Sequence, residues 1–287
     1  MITNIFHIGY HKTATTWFQK RFYSLVEGVN FIERENIRAF FYENEEVIFP
    51  NSNINIFCDE ELSGNIHNGG LSGFLSRDVA KQISQFENPK AIIFIRNQFD
   101  MIQSSYLQYI KEGGNYSIDK YLHHKMYIRS NRTALFSFKH LNYYNLIKQY
   151  QELIGKENVF VYLFEDFVNN QKNFIESFIE THKLETDTSN LDFSRINYSY
   201  SKISYFIARI FNAFSRKNVL FKYYIIHIPK LYEISRELLS RISLFPIKQQ
   251  VMLDHKIKAE ILENYQQSNS KLEIEMGLDL RKYNYPI

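Results

Sequence analysis

Four short apolar runs stand out along the chain, at residues 5–8, 54–58, 91–95 and 159–163. Each is bounded by turn or polar residues, and none alternates cleanly between apolar and polar positions. A strand in a parallel sheet covered on both sides has this character, because both of its faces are buried. Between and after these runs, residues 15–26, 76–86, 99–111, 118–128, 141–154 and 167–181 repeat apolar side chains at helical spacing. In the first of them Trp17, Phe18, Phe22 and Leu25 fall near a common face. Strands alternating with helices predict an α/β fold: an open parallel sheet flanked by helices, with ligands at the carboxyl ends of the strands.

From about Asn197 the pattern becomes mostly helical and strands disappear. This predicts a single domain over 1–287, with an α/β core at 1–195 and a helical extension at 196–287. Segment 206–230 interleaves Phe206, Phe211, Phe214, Phe221, Tyr223 and Tyr224 with Arg209, Arg216, Lys217, Lys222 and Lys230. It reads as an amphipathic helix pair packed on the core, with an acceptor-binding or peripheral membrane surface as the alternative.

Composition narrows the partners. Hydrophobic residues make up 45% of the 287, enough for a sizeable core. The net charge of +3, without a clustered basic stripe, argues against a nucleic-acid partner. The single cysteine, Cys58, excludes an intrachain disulfide and a cysteine-rich zinc site, and it suits a reducing compartment. The first residues show no basic region leading into an apolar signal core. No window reaches the roughly 18 uninterrupted apolar residues of a membrane span. A cytoplasmic location, with no N-terminal membrane anchor, is the expectation.

The first chemical signal is His7-Ile8-Gly9-Tyr10-His11-Lys12-Thr13-Ala14-Thr15-Thr16-Trp17, where the first strand gives way to the first helix. Unpaired amides and the helix dipole make such a junction an anion site. Gly9 eases the turn, Lys12 adds a mobile positive charge, and Thr13, Thr15 and Thr16 supply small hydroxyl donors. A Walker A loop needs a second glycine directly before the lysine, and His11 stands there. The second signal is the run from Lys90 to Arg96, a strand ending in a base, followed by a helix that carries Ser104. An arginine at a strand's carboxyl end and a serine on the next helix can hold one phosphate between them.

Together the two stretches resemble the donor motifs of the sulfotransferases that use 3′-phosphoadenosine 5′-phosphosulfate (PAPS), with bacterial and glycan sulfotransferases the nearest in pattern. Their 5′-phosphosulfate loop reads Gly-x-x-Lys-[Ser/Thr]-Gly-Thr-Thr, and here Ala14 replaces the second glycine. Alanine adopts positive φ with difficulty, so ordinary dihedrals are expected at Ala14. Their 3′-phosphate motif has a proline where Gln98 stands. Weaker likenesses lie at 158–167, with Phe164 in the place of a tyrosine, and in the C-terminal run from Asn264 to Leu280. The resemblance implies a P-loop-like fold, PAPS as co-substrate and 3′-phosphoadenosine 5′-phosphate (PAP) as product, with no metal. It assigns the donor site to Gly9, Lys12, Thr13, Ala14, Thr15, Thr16, Trp17, Arg96 and Ser104, with Lys12 on the leaving group and Trp17 against adenine.

Sulfuryl transfer also needs a base for the acceptor hydroxyl. Residues 56–63 follow a buried strand with Asp59, Glu60 and Glu61 in succession, similar to the Ser-Ser-Glu-x-Leu-Ser segment of glycan sulfotransferases. Glu60 is the first candidate, and His11 and His67 are the alternatives. A carboxylate favoured at a helix N-terminus is the competing explanation for this acidic run. Cys58 reads as a small buried residue, and His123 and His124 as mid-helix structural or surface residues. The resemblance favours a carbohydrate or glycolipid acceptor. A P-loop-like nucleotide kinase and a non-catalytic nucleotide-binding protein stay open; the kinase would need magnesium ligands and a second loop glycine.

Overall fold

The computed structural model describes residues 2–50, 53–124, 134–194, 202–214 and 253–287, and residues 228, 230, 231, 234, 235 and 237 between the last two segments. Five strands, β1 (Thr3–Gly9), β2 (Asn30–Phe31), β3 (Ile54–Cys58), β4 (Pro89–Ile95) and β5 (Val159–Leu163), form a parallel sheet in the order β2-β3-β1-β4-β5. The register pairs Phe6 with Phe57 on one side and with Ala91 on the other. The chain leaves β1 toward β3 first and crosses back to β4 later. The carboxyl ends of β1 and β4 therefore flank the topological switch point, where an open sheet leaves a crevice.

Both sheet faces are covered, as the unbroken apolar strands require. Phe6, Ile8, Phe57, Ile93 and Ile95 face one core, while Ile5, Ile56, Ile92 and Phe94 face the other. The first core is closed by α2 (Arg34–Tyr42), α3 (Gly70–Ile83), α4 (Gln98–Lys111), α5 (Ile118–Leu122) and α6 (Tyr143–Ile154). The second is aromatic: Trp17, Phe18 and Phe22 meet Phe167 of α7 (Phe164–Asn169) and Phe178 of α8 (Gln171–His182). Tyr205 and Ala208 of α9 (Lys202–Ala213) and Ile257, Ile261, Tyr265 and Leu272 of α10 (His255–Met276) join the first core. No described helix is long and apolar enough to cross a membrane.

Several local expectations change. The helix expected over 15–26 starts as the α turn α1 (Thr15–Trp17), widens to a π-turn at Phe18–Phe22 and tightens to a 3-10 turn at Tyr23–Leu25. The changing pitch rotates the buried face. Tyr23 is consequently buried and Leu25 is exposed, the reverse of its expected place. The helix expected over 167–181 is broken where Asn170 caps α8. Strand β2 and helix α2 were not legible, the first being only two residues long. His123 and His124 follow the end of α5 instead of lying within it, and His123 pairs with Asp119 and Glu260. The end of the helix expected over 118–128, and segment 206–230 beyond Phe214 apart from residues 228 and 230, lie outside the described residues.

Gln98, standing where the resembled motif has proline, is fully buried. Its amide exchanges two hydrogen bonds with Asn269 of α10, at 2.9 and 3.0 Å, and Asn269 also donates to the Pro286 carbonyl. The next-door Asn97 donates to the carbonyls of Tyr283 and Asn284. Proline could make none of these side-chain bonds, so the departure ties the C-terminal tail to the β4–α4 turn. Gln98→Leu should leave Asn269 short of buried partners and cost about 1–3 kcal/mol, read as a lower urea midpoint. An unchanged midpoint would show that this pair does not hold the tail.

Candidate active site

The turn after β1 is shaped by crowding. A Cβ on Gly9 would lie 2.4 Å from Thr15 Oγ1 and 2.8 Å from Thr13 Oγ1, so glycine is needed there for space. Thr13 spends its hydroxyl locally, donating to the Tyr10 carbonyl at 2.5 Å. Thr15 Oγ1 is buried and has no partner among the described residues, while Thr16 is half-buried. Lys12 and Ala14 are both left-handed, with φ of 68° and 69°. The expectation of ordinary dihedrals at Ala14 is thus overturned. The loop must turn its amides inward before α1 begins, and the chain accepts an alanine in a conformation that costs L-residues about 1–2 kcal/mol.

Arg96 closes the other side of the switch point. Its Nη1 donates to the Lys12 carbonyl at 3.1 Å, its guanidinium carbon lies 4.7 Å from the Phe164 ring centre, and Tyr143 Oη donates to its carbonyl at 2.8 Å. The remaining Nε is buried and unpartnered among the described residues. Segment 164–166 is the buttress: Glu165 accepts from the Asn97 amide and from Tyr285 Oη, and Asp166 accepts from Tyr283 Oη. Burial lowers the affinity of Arg96 for its proton and raises the Glu165 carboxyl. Ser104, on α4, is half-buried with its hydroxyl unpaired among the described residues.

Lys12 is pushed down to about 8, first by burial and then by Lys111 and Arg96, against the opposing pull of Glu112 and Glu60. Its Nζ donates to Gln108 Oε1 at 2.7 Å. Gln108 was missed in the sequence. The available signal was the spacing of Ser104, Gln108 and Glu112, which share one stripe of a helix.

The acidic run divides its work. Asp59 is fully buried, accepts from Arg34 and from Nε and Nη2 of Arg38, and caps the following 3-10 turn through the Glu61 amide. Glu60 gives one oxygen to Arg34 at 2.6 Å, and its other oxygen is buried without a partner among the described residues. Glu61 faces His11 Nε2 at 3.3 Å and Asn65, and against the effect of burial His11, with Arg38 and Arg34, holds its carboxyl below its ordinary value. His11 Nδ1 is buried and has no partner among the described residues. Burial pushes His67 down to about 4; its Nε2 stands 3.3 Å from Glu112 Oε2 without hydrogen-bond alignment.

Trp17 sits apart from these groups. It is 5% exposed, donates to the Asp192 carbonyl, and lies near-parallel to Phe22 and Phe193 in the aromatic core. In this structure the indole is a core residue, and adenine stacking would require Phe193 or Phe22 to yield a ring face.

No family model matches the chain, and no curated protein shows significant sequence similarity to it. Among solved structures it is similar to a sulfotransferase from Alicyclobacillus acidocaldarius, over 99% of both chains, with a TM-score of 0.57 and 12% identity. It is more distantly similar to mouse sulfotransferase SULT7A1 complexed with PAP, over 93% of this chain and 84% of that one, with a TM-score of 0.45 and 13% identity. The first similarity establishes a shared fold running the length of both chains.

The left-handed Ala14 has a direct consequence. Ala14→Gly should relieve the dihedral cost, less the entropy glycine loses, and stabilise the protein by about 0.5–1 kcal/mol. A urea or thermal midpoint that falls instead would show that alanine is unstrained there.

Proposed function

We propose that the chain is a PAPS-dependent sulfotransferase that transfers a sulfuryl group to a hydroxyl of a carbohydrate or glycolipid. The observation that carries this is the meeting of Lys12 and Arg96 at the switch point, Arg96 Nη1 on the Lys12 carbonyl, beside the unpartnered Thr15 Oγ1 and Arg96 Nε. Two cations and free donors at the head of a helix fit a nucleotide carrying negative charge at both its 5′ and 3′ ends. The shared fold with a sulfotransferase agrees with it.

When bound, the donor supplies the sulfuryl group and a phosphate leaving group. Lys12 neutralises the charge that builds on the departing phosphate, in a partly desolvated place where such an interaction is strong. The backbone amides of Thr13 and Ala14 and the hydroxyls of Thr15 and Thr16 hold the same group, while Gly9 keeps the loop tight. Arg96 and Ser104 take the 3′-phosphate. Glu60 takes the acceptor proton through its unpartnered oxygen, with Arg34 holding the other. His11, oriented by Glu61, is the second candidate. His67 is neutral at physiological pH but, at about 4, a weak base. Polar atoms on His67, Asn68 and Glu60 without a partner among the described residues favour a polyhydroxylated acceptor over a flat apolar one. A cytoplasmic location fits a soluble nucleotide donor and the single buried cysteine.

Radiolabelled PAPS incubated with a panel of oligosaccharides and glycolipids should yield labelled acceptor and PAP without magnesium. Lys12→Ala should lower kcat by about 10²-fold or more while the protein stays folded. Because Lys12 must be charged and titrates at about 8, donor kcat/KM should fall as pH rises through that value. Magnesium-dependent phosphate transfer from ATP, with no sulfate transfer, would replace this proposal with the kinase alternative.

Glu60→Gln should keep donor affinity and lower turnover by about 10²–10⁴. Glu61→Gln is a weaker control than its position suggests, since it also releases His11, and Asp59→Asn would disturb the Arg34–Arg38 anchor. If His11→Ala abolishes turnover with PAP binding intact and Glu60→Gln does not, the base is His11.

A further inference from the structure

Ser104, Gln108 and Glu112 lie on one stripe of α4 and its cap, and the lower part of that stripe is unaccounted for by donor binding. Gln108 stands between Lys12 and Glu112. Its Oε1 accepts from Lys12 Nζ at 2.7 Å, and its Nε2 donates to Glu112 Oε1. A carboxylate can only accept, so Glu112 fixes which way the Gln108 amide points: nitrogen toward Glu112, oxygen toward Lys12. The ammonium, which can only donate, selects the same orientation, so both neighbours hold the amide one way round.

We propose that Gln108, oriented by Glu112, is the positioning residue of Lys12: it holds the ammonium at the donor loop and keeps it protonated there. The functional consequence rests on the sulfotransferase reading; the hydrogen-bonded arrangement does not.

The setting explains why such a residue is needed. Lys12 is faced by Arg96 from the end of β4, by Lys111 and Glu112 from the end of α4, by Glu60 from the turn after β3, and by His67 from the segment after it. Burial, Arg96 and Lys111 all work against its charge. An amide oxygen opposes them with a dipole and not a full charge. A carboxylate in direct contact would neutralise the lysine and compete with the anion it is meant to serve, whereas a neutral acceptor can be exchanged for a phosphate oxygen. The carboxylate is kept one amide further away, on Glu112, where its charge still favours the ammonium.

The test reads Lys12 directly and independently of sulfate transfer. The full-length protein is pulsed with an amine-acylating reagent across a pH series, and the peptide containing Lys12 is quantified by mass spectrometry. Only the neutral amine reacts, so the labelling profile reports the lysine's titration. Gln108→Leu and Glu112→Gln should move the profile to lower pH and raise labelling at pH 7, about tenfold for each pKa unit. Gln108→Glu should move it to higher pH and lower labelling. The basic limb of donor kcat/KM should move in the same directions, a change that mere loosening of α4 would not produce. Should Gln108→Leu fail to fold, the near-isosteric Gln108→Glu and Glu112→Gln carry the comparison. A Lys12 profile unchanged in the folded variants overturns the proposal. Profiles that shift as expected in a protein that never transfers sulfate would leave Gln108 as the positioning residue and overturn the sulfotransferase reading instead.

Discussion

Two like charges held together at one switch point are the constraint on which the rest of the structure depends. Burial disfavours the charge of both Lys12 and Arg96, and Arg96 further weakens the hold of Lys12 on its proton. The fold compensates by lending each a neutral partner. Arg96 lies over Phe164 and on the Lys12 carbonyl, and Lys12 reaches the oxygen of Gln108. Among the described residues, neither receives a directly bonded carboxylate. An anion entering this crevice would therefore gain from both cations without first breaking an ion pair, which is the preorganisation that group transfer with a charged leaving group requires.

Much of the chain's remaining architecture can be understood as support for that arrangement. The left-handed residues at Lys12 and Ala14 keep the loop folded over the end of β1. The C-terminal tail, through Tyr283, Asn284, Tyr285 and the Gln98–Asn269–Pro286 contacts, fixes the turn that presents Arg96. Asp59, with Arg34 and Arg38, fixes the turn after β3 so that Glu60 and Glu61 face different partners. Neighbours along the chain point in different directions, so the three successive carboxylates differ in their partners, although Asp59 shares Arg34 with Glu60 and Arg38 with Glu61.

What was legible in the sequence was local. Apolar runs located four strands because a strand covered on both faces is mostly apolar: β3 and β5 to the residue, β1 and β4 without the Thr3, Asn4, Gly9, Pro89 and Lys90 that extend them. The loop at Gly9–Thr16 and the base at Arg96 were legible because each sits where a strand becomes a helix. What was not legible depends on residues far apart in the chain. The Lys12–Gln108 bond joins positions separated by 96 residues, and Asn97 meets Tyr283 across 186. Residues 158–167 show only a likeness in the sequence, and the work of 164–166 as a buttress for Arg96 emerges only when β5 lies beside β4. Ala14 failed for a different reason: the loop's path overrides the residue's own dihedral preference.

In the proposed donor site a nucleotide is recognised by both of its phosphates, and calorimetric titration of the wild-type protein and of Arg96→Ala with PAP and with AMP, in the absence of magnesium, measures that recognition. Wild type should prefer PAP by about 10–100-fold, the worth of one charge-assisted phosphate contact, and Arg96→Ala should lose most of that preference. Equal affinity of the wild type for the two ligands, or an Arg96→Ala variant that discriminates as well as the wild type, would contradict it.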